Sequence, residues 1–125
     1  MARVLALVPD LLFGSQVQGM LAAAGDEVEL VGDENRLRDR LGNPADPITD
    51  VLVVDLTNEA LDGPKLVEAL SGEGVLAQTH TLGFYAHVDV SVRERAEEAG
   101  FDLVVPRSRM AREGAVLVAG LAGDA

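Results

Sequence analysis

The stretch from Asp50 to Gly63, DVLVVDLTNEALDG, places the tightest limit on what this chain can fold into. Its apolar centre, Val51 to Val54, is continuous rather than alternating and is rich in β-branched residues. A strand of that composition needs cover on both faces, which a parallel sheet between two layers of helix supplies and a half-solvated antiparallel sheet does not. Val51 to Val54 is therefore read as a central strand. Asp55 follows where the strand leaves the core, then a polar loop and the turn pair Asp62-Gly63. Ligands gather at the carboxyl ends of strands in open α/β sheets, which makes Asp55 the first candidate for a functional residue.

The rest of the chain repeats the same alternation of strand and helix. Arg3 to Val8 is a second apolar run, closed by Pro9 and Asp10. Leu12, Phe13, Val17, Met20, Leu21 and Ala24 recur at helical spacing up to Gly25, a favoured residue just past a helix end. Glu27 to Val31 alternates polar and apolar, as an edge strand does. A short helix is expected from its cap Asp33 to Leu41, followed by a loop over Asn43 to Pro47. Pro64 suits a first helical turn, and that helix is expected to continue through Leu70. Thr81 to Ala86 and Asp102 to Val105 read as the fourth and fifth strands, with a helix from Val90 to Ala99 between them. A last helix over Met110 to Leu121 is expected to bury Val116, Leu117 and Leu121, and the tail Gly123 to Ala125 to fray.

Five strands alternating with five helices predict one domain over residues 1–125, a three-layer flavodoxin-like (βα)5 fold of α/β class. Its parallel five-stranded sheet is expected in the order 2-1-3-4-5. That order sets Asp10 and Asp55 at neighbouring strand ends, about 5 Å apart in the sheet direction.

Composition removes several function classes. The 10 basic and 21 acidic side chains give a formal net charge of -11, and phosphate contacts need a basic face, so nucleic acid is not an expected partner. No apolar run reaches about 18 residues, so no membrane span is expected. The N-terminus MARVLALVPD also lacks the layout of a signal peptide, which points to a cytoplasmic protein. The absence of cysteine excludes disulfides and thiolate metal sites. No Gly-rich phosphate loop and no GxSxG elbow is present, which disfavours nucleotide binding and serine hydrolysis. His80 and His87 flank one strand and make a poor metal pair; His87, near the rim of the expected crevice, is kept as a minor candidate for ligand contact.

With Asp55 ending the third strand, Asp50 opening it, Gly63 after the loop, and Ala99, Gly100 and Asp102 before the last strand, the chain resembles the receiver domains of two-component response regulators over essentially its whole length. The resemblance implies that Asp55 is the acceptor of a phosphoryl group from a histidine kinase, with Mg²⁺ held by acids at the strand ends. Several positions depart from the family. Val8 and Pro9 stand where receivers carry an acidic pair, leaving Asp10 one position on. Tyr85 replaces the small hydroxyl residue that ends the fourth strand, and Arg107 then Ser108 replace a lysine and a prolyl turn, the proline having moved to Pro106.

Asp10 and Asp55, with the backbone carbonyl of Thr57, remain as candidate metal ligands, a minimal set for an ion that wants octahedral oxygen. Mg²⁺ is therefore expected to bind weakly, and no other cofactor is expected. The pocket is expected to comprise Asp10, Thr57, Tyr85 and Arg107. Arg107 is expected to pair directly with Asp55, the alternative being that it extends into solvent. Tyr85 either lies outward on a partner surface or folds inward over the pocket. The family's common partner surface would here present Arg93, Glu94, Glu97, Glu98, Asp102, Arg109 and Arg112, mixed signs that suit a homodimer through the fourth and fifth helices and equally an ordinary solvated face.

The resemblance and its departures together suggest an atypical, stand-alone receiver without enzymatic activity. It would act as a signalling or protein-interaction module with weak or no Mg²⁺-dependent aspartyl phosphorylation, its partner a histidine kinase or a downstream signalling protein. The alternatives are a working phosphoacceptor in a histidine-kinase phosphorelay and a small-molecule sensor that uses the same crevice.

Overall fold

The computed structural model describes residues 1–86 and 89–123. Strands β1 (Arg3–Leu7), β2 (Glu27–Val31), β3 (Val51–Asp55), β4 (His80–Tyr85) and β5 (Leu103–Pro106) form one parallel sheet in the order β2-β1-β3-β4-β5. The connecting helices are α1 (Leu11–Ala23), α2 (Glu34–Gly42), α3 (Gly63–Gly72), α4 (Val90–Ala99) and α5 (Arg107–Ala122). The expected flavodoxin-like (βα)5 arrangement and strand order are thus those of the structure. His87, and Asp124 and Ala125 of the tail, lie outside the described residues.

Every residue of β3 is buried, as its uninterrupted apolar run requires. Successive side chains of a strand point to opposite faces, so β3 divides its apolar surface between two cores. Val51 and Val53 join Val4, Ala6, Leu82 and Phe84 against Phe13, Val17 and Leu21 of α1 and Met110 and Val118 of α5. Leu52 and Val54 join Leu5 and Leu7 against Leu37 of α2, Leu66, Val67 and Leu70 of α3, and Ala96 of α4. Each fully buried Val or Leu contributes about 1.5–3 kcal/mol relative to exposure, so the two cores together fix the sheet between its helix layers.

Three aspartates secure the amino edge of the sheet, where strand N–H groups would otherwise lack acceptors. Asp26, just before β2, accepts the Ala2 N–H at 3.0 Å. Asp50, just before β3, accepts the Arg3 N–H at 2.8 Å, and Asp102, just before β5, accepts the Thr81 N–H at 2.8 Å. The charged residue ahead of each strand therefore ties that strand to its neighbour. Such a bond also relieves the cost of burying a bare backbone donor.

Several boundaries and faces differ from the sequence reading. Leu12 is 86% exposed and Val116 is 72% exposed, although both fit an apolar helical period. In α5 the buried residues are Met110, Gly114 and Val118, spaced four apart, while Leu117 and Leu121 pack at the margin. The α5 helix also begins at Arg107, three residues before the expected start, because Pro106 holds the extended conformation of an N-cap and the polar run Arg107 to Arg109 carries no apolar period to reveal it. The loop after Asp55 contains a turn of 3-10 helix, Glu59–Leu61, which ends at Asp62 in the left-handed region (φ 43°).

Candidate acceptor cleft

Asp55 reaches the carboxyl edge of the sheet on the α1 and α5 side, level with Phe84 of the neighbouring strand. It is only 3% exposed. A carboxylate so placed needs donors, and Thr57 supplies two: its backbone N–H at 2.8 Å and its hydroxyl at 2.5 Å, both to Oδ1. An aspartate that accepts from the residue two positions on is a local turn motif, so the sequence Asp-Leu-Thr largely builds its own seat. Among the described residues nothing donates to Oδ2. Pro9, Asp10, Thr57, Asn58 and Glu59 join Asp55 in lining an open cleft of about 570 Å³.

Asp10 shares the cleft but is committed elsewhere. It is the N-cap of α1, its Oδ1 accepting the N–H groups of Leu12 at 3.0 Å and Phe13 at 3.2 Å. Its Oδ2 lies 3.5 Å from Nη2 of Arg107. The Arg107 guanidinium also sits over the Phe13 ring, 4.2 Å from the centroid, and Phe13 packs on Phe84 with centroids 5.0 Å apart. A planar cation gains from an aromatic face and a carboxylate at once.

The expected Asp55–Arg107 pair is therefore not formed. At the first position of α5, Arg107 stands above α1, where Phe13 and Asp10 offer it a face and a charge, while Oδ1 of Asp55 is already served by Thr57. Arg107 meets the cleft only through Asp10, and its side chain remains 44% exposed.

Tyr85 takes neither of the two placements considered for it. The alternation of β4 turns it to the face opposite Phe84, and it is 6% exposed in the core with Leu56, Ala96 and Phe101. It does not line the cleft. Glu97, and then the Tyr85 hydroxyl, raise the pKa of Arg93 above its ordinary value. His80 lies at the other end of β4, with Nδ1 3.5 Å from Asp102. On the proposed partner surface, Arg93 bonds Glu97 at 3.2 Å and Arg109 meets Glu113 at 3.4 Å, each within its own helix. The charges offered to a second copy are thus already partly paired.

Sequence reasoning missed the Phe13 ring beneath Arg107, the Phe84 ring tilted against it, and the contribution of Asn58 and Glu59 to the cleft. A signal for Asn58 was present: asparagine before Glu59 and Leu61 is a cap, and its Oδ1 accepts the Leu61 N–H at 3.3 Å.

The residues around Asp55 do not fit a Mg²⁺ cradle. Mg²⁺ needs near-octahedral oxygen donors. Val8 is apolar and buried, Pro9 has no side-chain oxygen, and both oxygens of Asp10 are engaged, one by a helix end and one by a cation. Among the described residues no three His, Cys, Asp or Glu side chains come together as a metal-binding group. Asp10, the acid expected beside Asp55 as a ligand, caps α1 through Oδ1 and faces Arg107 through Oδ2.

No protein-family model matches the sequence, and a search of curated proteins finds no relative. Solved structures do match. The receiver domain of a Francisella response regulator aligns with a TM-score of 0.84 at 17% identity, over 98% of each chain. A response regulator from Thermotoga maritima aligns at 0.82 and 15% identity, again over 98% of each. The receiver domain of a Pseudomonas aeruginosa sensor histidine kinase, solved with a magnesium ion coordinated in its active-site cleft, aligns at 0.82 and 16% identity over 98% of both chains. The chain has the receiver-domain fold of response regulators.

Proposed function

We propose that residues 1–125 act as one atypical receiver-like domain, a non-enzymatic signalling module that works by protein interaction, with little or no Mg²⁺-dependent phosphorylation of Asp55. The observation that carries this reading is the double engagement of Asp10, whose oxygens cap α1 and face Arg107. Phosphoryl transfer to a carboxylate depends on neutralising charge on the incoming group, since there is little covalent work for the protein itself to do. Here Arg107 is turned toward Asp10 and stacked on Phe13, and the second carboxylate is occupied. The partners proposed are a histidine kinase or a downstream signalling protein. A cytoplasmic location is part of the same proposal; among the described residues no helix is long and apolar enough to cross a membrane.

A second reading, a working phosphoacceptor, draws on the free Oδ2 of Asp55, which leaves one nucleophilic oxygen beside the cleft. Incubation with acetyl phosphate and Mg²⁺, read by intact mass, separates the two. The atypical module is expected to keep its mass. Stoichiometric gain of one phosphoryl group, lost in Asp55→Asn, overturns it in favour of the phosphoacceptor.

A further inference from the structure

Among the described residues α1 is the one helix without a single Asp, Glu, Lys or Arg, in a chain where 25% of the residues are charged. Its solvent side is therefore neutral from end to end. Leu12, Ser15, Gln16, Gly19, Ala22 and Ala23 are all exposed and, at 3.6 residues per turn, fall within one arc of about 120°. Leu12 and its neighbour Leu11 are 86% and 80% exposed, more than any other large apolar side chain except Met1. Single exposed apolar residues are ordinary, whereas a contiguous exposed patch marks a contact surface.

Gly19, at the middle of that arc, has no task inside the molecule. Its φ is not left-handed, and a Cβ placed on it would meet nothing within 4 Å among the described residues. At Gly14, by contrast, such a Cβ would stand 3.3 Å from the Val8 carbonyl oxygen, so packing within the chain accounts for that glycine. Glycine is less stable than alanine inside a helix, and it allows another backbone to come close. A glycine that no internal neighbour demands, centred on an exposed face, fits an approach from outside.

The face is large at one end and small at the other, with Leu11 and Leu12 before Gly19 and with Ala22 and Ala23 after it. That gradient is self-complementary. An isologous contact pairs a patch with itself, so two copies of α1 crossing antiparallel about a two-fold axis near mid-helix set Leu12 of each on Ala22 and Ala23 of the other. Gly19 then faces Ser15 and Gln16. Charge favours the same occupant, because two chains of net charge -11 repel unless they meet through surface that carries none of the excess. α1 has no charge, and α5 beside it holds three Arg against one Glu and is uncharged from Gly114 onward.

We propose that the chain forms a two-fold dimer through α1, the leucine end of each helix seated on the alanine end of the other. The contact uses none of the residues of the acceptor cleft except the helix that Asp10 caps, and it stands whether or not Asp55 is phosphorylated. A single helix face is a small interface, so the dimer is weak and forms at high concentration.

Sedimentation velocity on the full chain, from micromolar to millimolar, is expected to show a reversible monomer to dimer step. Added salt should strengthen it, since screening relieves repulsion and no ion pair holds the contact. Leu12→Glu is expected to weaken association at least about ten-fold, the equivalent of one buried leucine. Gly19→Ala should weaken association while raising the Tm of the dilute monomer, a split that an internal packing role for the glycine would not give. Val90→Glu, at the exposed start of α4, should leave association unchanged. The chain has no cysteine, so an oxidised mixture of Leu12→Cys and Ala23→Cys chains should yield a disulfide-linked heterodimer that neither variant forms alone. Three results overturn the proposal: a monomer at every concentration, which would leave the face to a different protein; a dimer that survives Leu12→Glu; or a dimer dissolved by Val90→Glu or by salt, which would place the contact on the charged fourth and fifth helices.

Discussion

Replacing Asp10 separates two jobs that one carboxylate performs. Asp10→Ala removes the acceptor of the Leu12 and Phe13 N–H groups and the partner of Arg107. Loss of an aspartate N-cap costs about 1 kcal/mol. The ion pair adds less: at 3.5 Å, with side chains 44% and 45% exposed, it belongs with surface pairs worth about 0–1 kcal/mol, and screening by solvent places it in the lower half of that range. Arg107 also keeps its seat on Phe13 when Asp10 is gone. The expected total for Asp10→Ala is about 1–1.5 kcal/mol. Asp10→Asn keeps an oxygen that caps equally well and loses only the charge, so about 0.5 kcal/mol is the most it should cost. Unfolding entropy of about 2.1 cal/mol/K per residue makes each kcal/mol worth roughly 4 °C in Tm for a chain of 125 residues. Calorimetry should then find Asp10→Ala melting roughly 4–6 °C below the unaltered protein and Asp10→Asn within about 2 °C of it. Equal, large losses in both would refute capping as the main role of Asp10, and no loss in either would refute both roles.

Thr57→Val removes the hydroxyl bond to Asp55 but keeps the backbone one, and is expected to destabilise by about 1.5–3 kcal/mol in denaturant unfolding, with Thr57→Ser close to the unaltered protein. Equal stability of all three would show that the hydroxyl does not hold the carboxylate. Gly83→Ala puts a Cβ 2.7 Å from Cδ1 of Leu56 and 3.0 Å from the Phe101 ring, an overpacking expected to cost about 1–3 kcal/mol. The same change made in a Leu56→Ala background should cost less, and an unchanged cost in that double-mutant cycle would exclude Leu56 as the obstacle. Asp102→Ala leaves the N–H of buried Thr81 without its side-chain acceptor, for an expected loss of about 1–3 kcal/mol and faster amide exchange at Thr81. Unaltered exchange there would contradict the edge-securing role.

The fold was legible because its signals are local and redundant. Val51 to Val54 and Arg3 to Val8 announce doubly covered strands, Gly25 and Gly100 announce helix ends in the left-handed conformation, and the chirality of crossovers leaves few ways to join what results. Asp55 was legible for the same reason, as a carboxylate at a strand end, and its bond to Thr57 follows from a two-residue spacing. The partner of Arg107 was not. That choice depends on where the first turn of α5 lands relative to α1, a tertiary fact with no sequence period behind it, and on a cation–aromatic contact that residue spacing cannot foretell. Tyr85 was misplaced because its side was argued from the family position rather than from strand alternation, which sets it opposite Phe84. Val116 was misplaced because the α5 face follows Met110, Gly114 and Val118, where a glycine admits the Met20 and Met110 side chains and leaves no apolar mark in the sequence.

The central claim, that Asp55 keeps its place while the seat for a divalent cation beside it has been given to a helix end and an arginine, is tested most directly by calorimetric titration of Mg²⁺ into the full chain. The account predicts no saturable binding. A single site with a Kd of about 1 mM or tighter, abolished in Asp55→Asn, would contradict it.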